Sequence, residues 1–136
     1  MKKKVNVDGY DVWLPFEKPY NCQIDYVKKV LEALTSGSHA MLESPTGTGK
    51  TISFLCAAVA FIKKAREIKN QENAASSPPG TFPAPHTIIY CTRTHNQIKQ
   101  VIEEIKSKLP YKVSVQTLAS KRNLCIMEDV KDHQQG

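Results

Sequence analysis

A chain of 136 residues, 40% hydrophobic and 24% charged, has the length and composition of a single soluble globular domain. Its net charge of +6 at pH 7 favours a polyanionic partner such as nucleic acid, although a basic solvated surface gives the same balance. No apolar run reaches the roughly 18 residues of a membrane span, the lysines at 2–4 are followed by Val5-Asn6-Val7 rather than by the core of a signal peptide, and Cys22, Cys56, Cys91 and Cys125 form no C-x-x-C pair, so no membrane anchor, leader, zinc framework or disulfide framework is expected.

In chain order, Lys4-Val5-Asn6-Val7 and Tyr10-Asp11-Val12-Trp13 alternate around Asp8-Gly9, the pattern of a β-hairpin. Ile24, Val27, Leu31 and Leu34 recur at helical spacing, which predicts an amphipathic helix over 21–35 with Gly37 as its stop. His39 to Glu43 reads as a short buried strand, and Ile52 to Ile62 as a helix apolar on almost every face. Residues 70–86, with four prolines, a glycine and serines, read as a surface loop. Thr87 to Cys91 reads as a second buried strand. Thr94 with Gln97 forms a capping box for a helix carrying Ile98, Val101, Ile102, Ile105 and Leu109, stopped by Pro110. Lys112 to Leu118 alternates as a third strand. Strands alternating with helices predict an α/β domain with right-handed crossovers and a parallel sheet.

Between the first of these strands and its helix lies Ser44-Pro45-Thr46-Gly47-Thr48-Gly49-Lys50-Thr51, a phosphate-binding loop in the strand–loop–helix context its chemistry needs. Successive backbone N–H groups converge on phosphate oxygens, and Gly47 and Gly49 let the backbone bend towards the ligand. Lys50 is expected to reach the β- and γ-phosphates and the Thr51 hydroxyl to ligate magnesium. Ser44 stands where the strict pattern has its first glycine.

Residues Leu42 to Thr51 closely resemble the superfamily 2 iron–sulfur DNA helicases of the XPD, FancJ and regulator-of-telomere-elongation type. Three further segments match in order. Phe16, Pro19, Tyr20, Gln23 and Tyr26 resemble the family's Q-motif, which implies that Gln23 hydrogen-bonds the adenine edge and that Tyr20 or Phe16 packs on the base. Tyr90 to Gln97 is similar to motif Ia, which implies single-stranded DNA contact by Arg93, Thr94, His95 and Gln97. In Thr94 and Gln97 the cap by itself is an equally good reading. Leu118 to Ile126 resembles the segment that delivers the first cluster cysteine, which implies Cys125 as the first of four thiolate ligands to a [4Fe–4S] cluster. Cys56 and Cys91, expected in a buried helix and a buried strand, are poor substitutes.

The resemblance therefore implies a RecA-like P-loop domain, incomplete over residues 1–136, with 70–86 a loop and 119–136 the start of the cluster segment. It implies ATP and Mg2+ as cofactors, single-stranded or forked DNA as partner, further helicase domains in a longer protein, and a nuclear location. The acidic strand end that a motor of this class uses to hold magnesium is not found in the sequence, since Glu128-Asp129 follows only Ile126-Met127. The expectation is nucleotide binding without unwinding. A P-loop kinase fragment is disfavoured by Ser44 and by Thr92-Arg93-Thr94-His95. A non-catalytic nucleic-acid module with a decayed loop is disfavoured by the intact Lys50 and Thr51.

Overall fold

Asp8 and Gly9 both take positive φ, 49° and 80°, and so form the tight turn whose twist matches a two-residue hairpin. The turn joins β1 (Lys3–Val7) to β2 (Tyr10–Leu14) in an antiparallel ladder with Val5 opposite Val12 and Lys4 opposite Trp13. The period of two then divides the hairpin. Val7, Val12 and Leu14 are buried, while Lys4, Asn6, Asp11 and Trp13 face outward. This is a computed structural model, and it describes residues 2–45, 47–76 and 87–120.

Helix α1 (Asn21–Ser36) ends where expected, because Gly37 adopts the left-handed conformation at φ 64° and returns its N–H to the Ala33 carbonyl. Val27, Val30 and Leu31 are its buried stripe. Helix α2 (Lys50–Ser76) is buried from Ile52 through Ala60 except at Phe54, which accounts for the lack of polarity in its first half. It continues to Ser76, so residues 70–76 are helical rather than part of a loop. The residue before a proline is pushed out of the α region, and Pro78 is the first proline of that stretch, so nothing in the sequence stops the helix earlier. The rest of the expected loop, 77–86, lies outside the described residues. Helix α3 (His95–Lys108) carries the capping box in full: Gln97 N–H donates to Thr94 Oγ1 and Thr94 N–H to Gln97 Oε1, both at 3.3 Å.

The core is the layer between the hairpin, α1 and α2. Val12, Leu14, Val27, Leu31, Ile52 and Cys56 meet there with Tyr111 closing one side. Polar ties fix the hairpin on the helices. Tyr10 stacks on Phe61 at 5.9 Å, its hydroxyl is 3.0 Å from Thr35 Oγ1, and Lys64 Nζ donates to the Gly9 carbonyl at 2.7 Å while lying over the Tyr10 ring.

Among the described residues the sheet is this two-stranded one, and the expected parallel sheet is not formed. Segments 39–43, 87–91 and 112–118 carry no strand pairing. An interior parallel strand is covered on both faces and hydrogen-bonded on both edges. Here Met41, Ile89 and Leu118 are more than four-fifths exposed. Cys91, expected buried, is exposed for the same reason, whereas Cys56 is fully buried as expected. No helix among the described residues is long and apolar enough to cross a membrane.

Burial pushes the Cys56 thiol from an ordinary 9.0 up to about 12, and burial likewise pushes the Tyr111 phenol from 10.0 up to about 12. Both folded values lie above the unfolded ones. The stability the two groups contribute is therefore complete below pH 9 and is lost as pH rises towards 12. The melting temperature followed by circular dichroism is expected to be level up to about pH 9 and to fall above it. Cys56→Ala should delay that fall by about one pH unit, to where Tyr111 begins to titrate, and an unchanged onset would exclude the thiol as its cause.

Candidate nucleotide and nucleic-acid site

Backbone conformation, packing and a helix start together shape the loop ahead of α2. Gly47 and Gly49 sit at φ 82° and 70°, conformations that side-chain-bearing residues rarely adopt. A Cβ on Gly49 would stand 2.9 Å from Phe16 Cζ and 3.5 Å from Gln23 Nε2, so the loop is pressed directly against the segment that resembles a Q-motif. Helix α2 starts at Lys50, and the first in-helix bond runs from Ser53 N–H to the Gly49 carbonyl at 3.0 Å. The N–H groups before Ser53 have no acceptor within the helix and lie at the positive end of its dipole, which suits an anion.

The side chains tie the loop to itself. Lys50 Nζ donates to the carbonyls of Ser44 at 2.6 Å and Pro45 at 3.0 Å. Thr48 Oγ1 donates to the Pro45 carbonyl at 2.8 Å and is 2.6 Å from Ser44 Oγ. The single Thr48 hydroxyl proton is thus committed to Pro45, so Ser44 is the donor to Thr48. A glycine at 44 could not make that bond, which gives the departure from the strict loop pattern a structural role. Thr46 lies outside the described residues.

Gln23, in the first turn of α1, is 5% exposed. Its Oε1 accepts from Tyr20 N–H at 2.9 Å and its Nε2 donates to the Thr48 carbonyl at 2.8 Å. One amide therefore caps α1 and anchors the loop at 44–51, with one N–H and one lone pair still available. This bridge was not foreseen from the residues, because it depends on how α1 docks on the loop. Of the neighbouring aromatics, Phe16 packs on the loop and against the core, and Tyr20 is largely exposed. Tyr26 is part of the core rim, with its phenol pushed up by burial and by the nearby Tyr90.

Thr51 and the segment around 90–97 converge on one cavity of about 330 Å³, lined also by Gln100, Val101 and Glu104. Tyr90, Thr92 and Gln97 stand on its wall, and Thr92 Oγ1 holds the Thr94 carbonyl at 3.0 Å just ahead of α3. Arg93, Thr94, His95 and Gln97 are all exposed at this helix start. Glu104 was not singled out by the sequence. Its Oε1 is 3.6 Å from Lys108 Nζ, and its Oε2 is buried without a hydrogen-bond partner among the described residues. Its only sequence signal is a carboxylate three residues after Val101, on the face that carries the helix's apolar residues. The described residues hold no group of three or more His, Cys, Asp or Glu side chains that could bind a metal, and Cys125 lies outside them.

Comparison with known proteins agrees with the motifs. The family model described as DEAD_2 matches residues 90–136. A regulator of telomere elongation helicase 1 homolog of Arabidopsis thaliana is 39% identical over 92% of the chain. Regulator of telomere elongation helicase 1 of Bos taurus is 37% identical, and that of Homo sapiens 36% identical, each over 94% of the chain. The chain belongs to the XPD/FancJ-type superfamily 2 helicases. It spans only 12–13% of the length of these three relatives. No solved structure matches it significantly. Within this helicase family frame, the loop at 44–51 and the segment at 90–97 are brought together across one cavity by the start of α2 and the start of α3.

Proposed function

We propose that this chain binds ATP with magnesium at the loop 44–51 and contacts single-stranded DNA at 93–97, as the nucleotide-holding part of an ATP-dependent DNA helicase. The observation that carries this reading is the paired left-handed glycines, Gly47 and Gly49, set at the N-terminus of a long helix beginning with Lys50-Thr51. In this reading the backbone N–H groups of 47–51 cradle the phosphates, and Lys50 exchanges the Ser44 and Pro45 carbonyls for phosphate oxygens. The Thr51 hydroxyl, which lines the shared cavity, would supply a magnesium ligand. Gln23 offers adenine the N–H and lone pair left over from its bonds to Tyr20 and Thr48. Magnesium, when bound, neutralises charge on the phosphates.

At the exposed start of α3, Arg93 supplies a cation and the capped helix start supplies oriented N–H groups for a DNA phosphate, with His95 in the same turn. Gln97 and Thr94 act there mainly by holding the helix start. In the longer protein, Cys125 is the proposed first ligand of a [4Fe–4S] cluster, forked DNA the proposed substrate and the nucleus the proposed location. Single-turnover unwinding by the 136-residue chain alone is expected to be undetectable.

Retention of labelled ATP by the purified chain tests the reading. Lys50→Ala removes charge-assisted hydrogen bonds worth a factor of about 10–100 in affinity. Equal retention by the parent and by Lys50→Ala would remove the nucleotide site. For the DNA contact, Arg93→Ala is expected to weaken oligonucleotide binding uniformly across sequences and to lower the slope of log K against log salt by about 1.

A further inference from the structure

The outward face of the β1–β2 hairpin takes no part in the site just described, and it concentrates one exposed aromatic ring among lysines. Trp13 is the chain's single tryptophan, and it is 40% exposed between two residues, Val12 and Leu14, that are fully buried. The alternation of the strand therefore drives its ring out of the core. Lys4 stands directly opposite it in the ladder, at the distance of a cross-strand neighbour. The acidic residue on this face is already satisfied: both Asp11 oxygens are engaged, one by Lys4 at 2.7 Å and the other by Asn6 Nδ2 at 2.9 Å. A second cation comes from α2. Lys63 Nζ lies 5.0 Å from the centre of the Tyr111 ring, and the Tyr111 hydroxyl accepts the backbone N–H of Trp13 at 2.7 Å. That bond holds the Trp13 backbone on a fixed core residue, and it involves no atom of the Trp13 side chain.

We infer that this hairpin face is an additional contact for single-stranded nucleic acid, in which a base stacks on Trp13 while Lys4 and Lys63 meet the flanking phosphates. An exposed ring flanked by cations is what a sequence-tolerant single-strand platform requires, because every base has a π-face and every linkage a charge. The rigid attachment through Tyr111 lowers the ordering cost of such a contact. The inference rests on the proposed nucleic-acid partner, but on none of the residues assigned to the 93–97 contact or to the phosphate loop.

Because Trp13 is the only tryptophan, its emission reports this face alone. The intact 136-residue chain, titrated with an oligothymidylate of about 20 nucleotides at low salt, is expected to show quenching of Trp13 with the same midpoint as fluorescence anisotropy of the labelled oligonucleotide. Trp13→Ala should weaken binding about tenfold, Trp13→Phe should recover most of it, and Lys4→Glu should weaken binding and flatten its salt dependence. Arg93→Ala should weaken binding yet leave the quenching amplitude at saturation unchanged. Binding seen by anisotropy without quenching, with Trp13→Ala within twofold of the parent, would overturn the hairpin contact and leave the one at 93–97 standing. No binding by any variant would overturn both. Equal quenching by polyglutamate would make the partner an acidic polypeptide and likewise defeat the inference. Should Trp13→Ala lose its circular dichroism signal, the exposed Lys4→Glu variant decides the matter.

Discussion

Gly49→Ala is expected to abolish nucleotide retention, whereas Gly47→Ala should only reduce it. The two glycines share left-handed conformations, φ 70° and 82°, so each substitution carries the same backbone penalty of about 1–2 kcal/mol. Their surroundings differ. A Cβ on Gly47 would meet nothing within 4 Å, but one on Gly49 would come within 2.9 Å of Phe16 Cζ. Phe16 must then swing away from the loop it packs on, while Gln23 Nε2, 3.5 Å from the same point, stays in ordinary contact. The expected result is a graded pair: ATP retention lowered several-fold in Gly47→Ala and lost in Gly49→Ala, with the urea midpoint of the second also the lower. Equal behaviour of the two variants would show that packing against Phe16 contributes nothing to the loop's shape.

The second large effect is expected in the core. Leu14 is fully buried at the end of β2, where the hairpin meets α2. Leu14→Ala removes the apolar contacts of a whole side chain and leaves a cavity that the fixed helices cannot close, a cost of about 2–5 kcal/mol. Small domains have only about 5–15 kcal/mol in total. The urea midpoint of Leu14→Ala should therefore fall by a large fraction of its parent value with little change in m. A loss under about 1 kcal/mol would mean that the hairpin is not a part of the cooperative unit.

Local signals proved dependable wherever a few adjacent residues settle the conformation. Asp8-Gly9 forms its turn, Gly37 its left-handed stop, and Thr94 and Gln97 their reciprocal cap, because each depends on side chains or backbone freedom within four residues. Composition suggests a loop from 70, but α2 runs through to Ser76, two residues short of the first proline, Pro78. Apolar, β-branched residues at 87–91 and 112–118 describe a strand's composition but not its partners. Pairing comes from other segments, so these runs remain unpaired among the described residues and Cys91 is exposed.

The candidate site divides along the same line. The order of the residues alone pointed to the helicase family and to a candidate phosphate loop with Gly47, Gly49, Lys50 and Thr51, because these patterns are carried by spacing along the chain. The bond from Gln23 to Thr48, the packing of Phe16 on Gly49, the placement of Glu104 and Thr51 on one cavity, and the exposure of Trp13 against the buried Val12 and Leu14 come from the docking of α1, α2, α3 and the hairpin on one another. Those contacts join residues far apart in sequence. Their geometry is a property of packed side chains that no local pattern encodes.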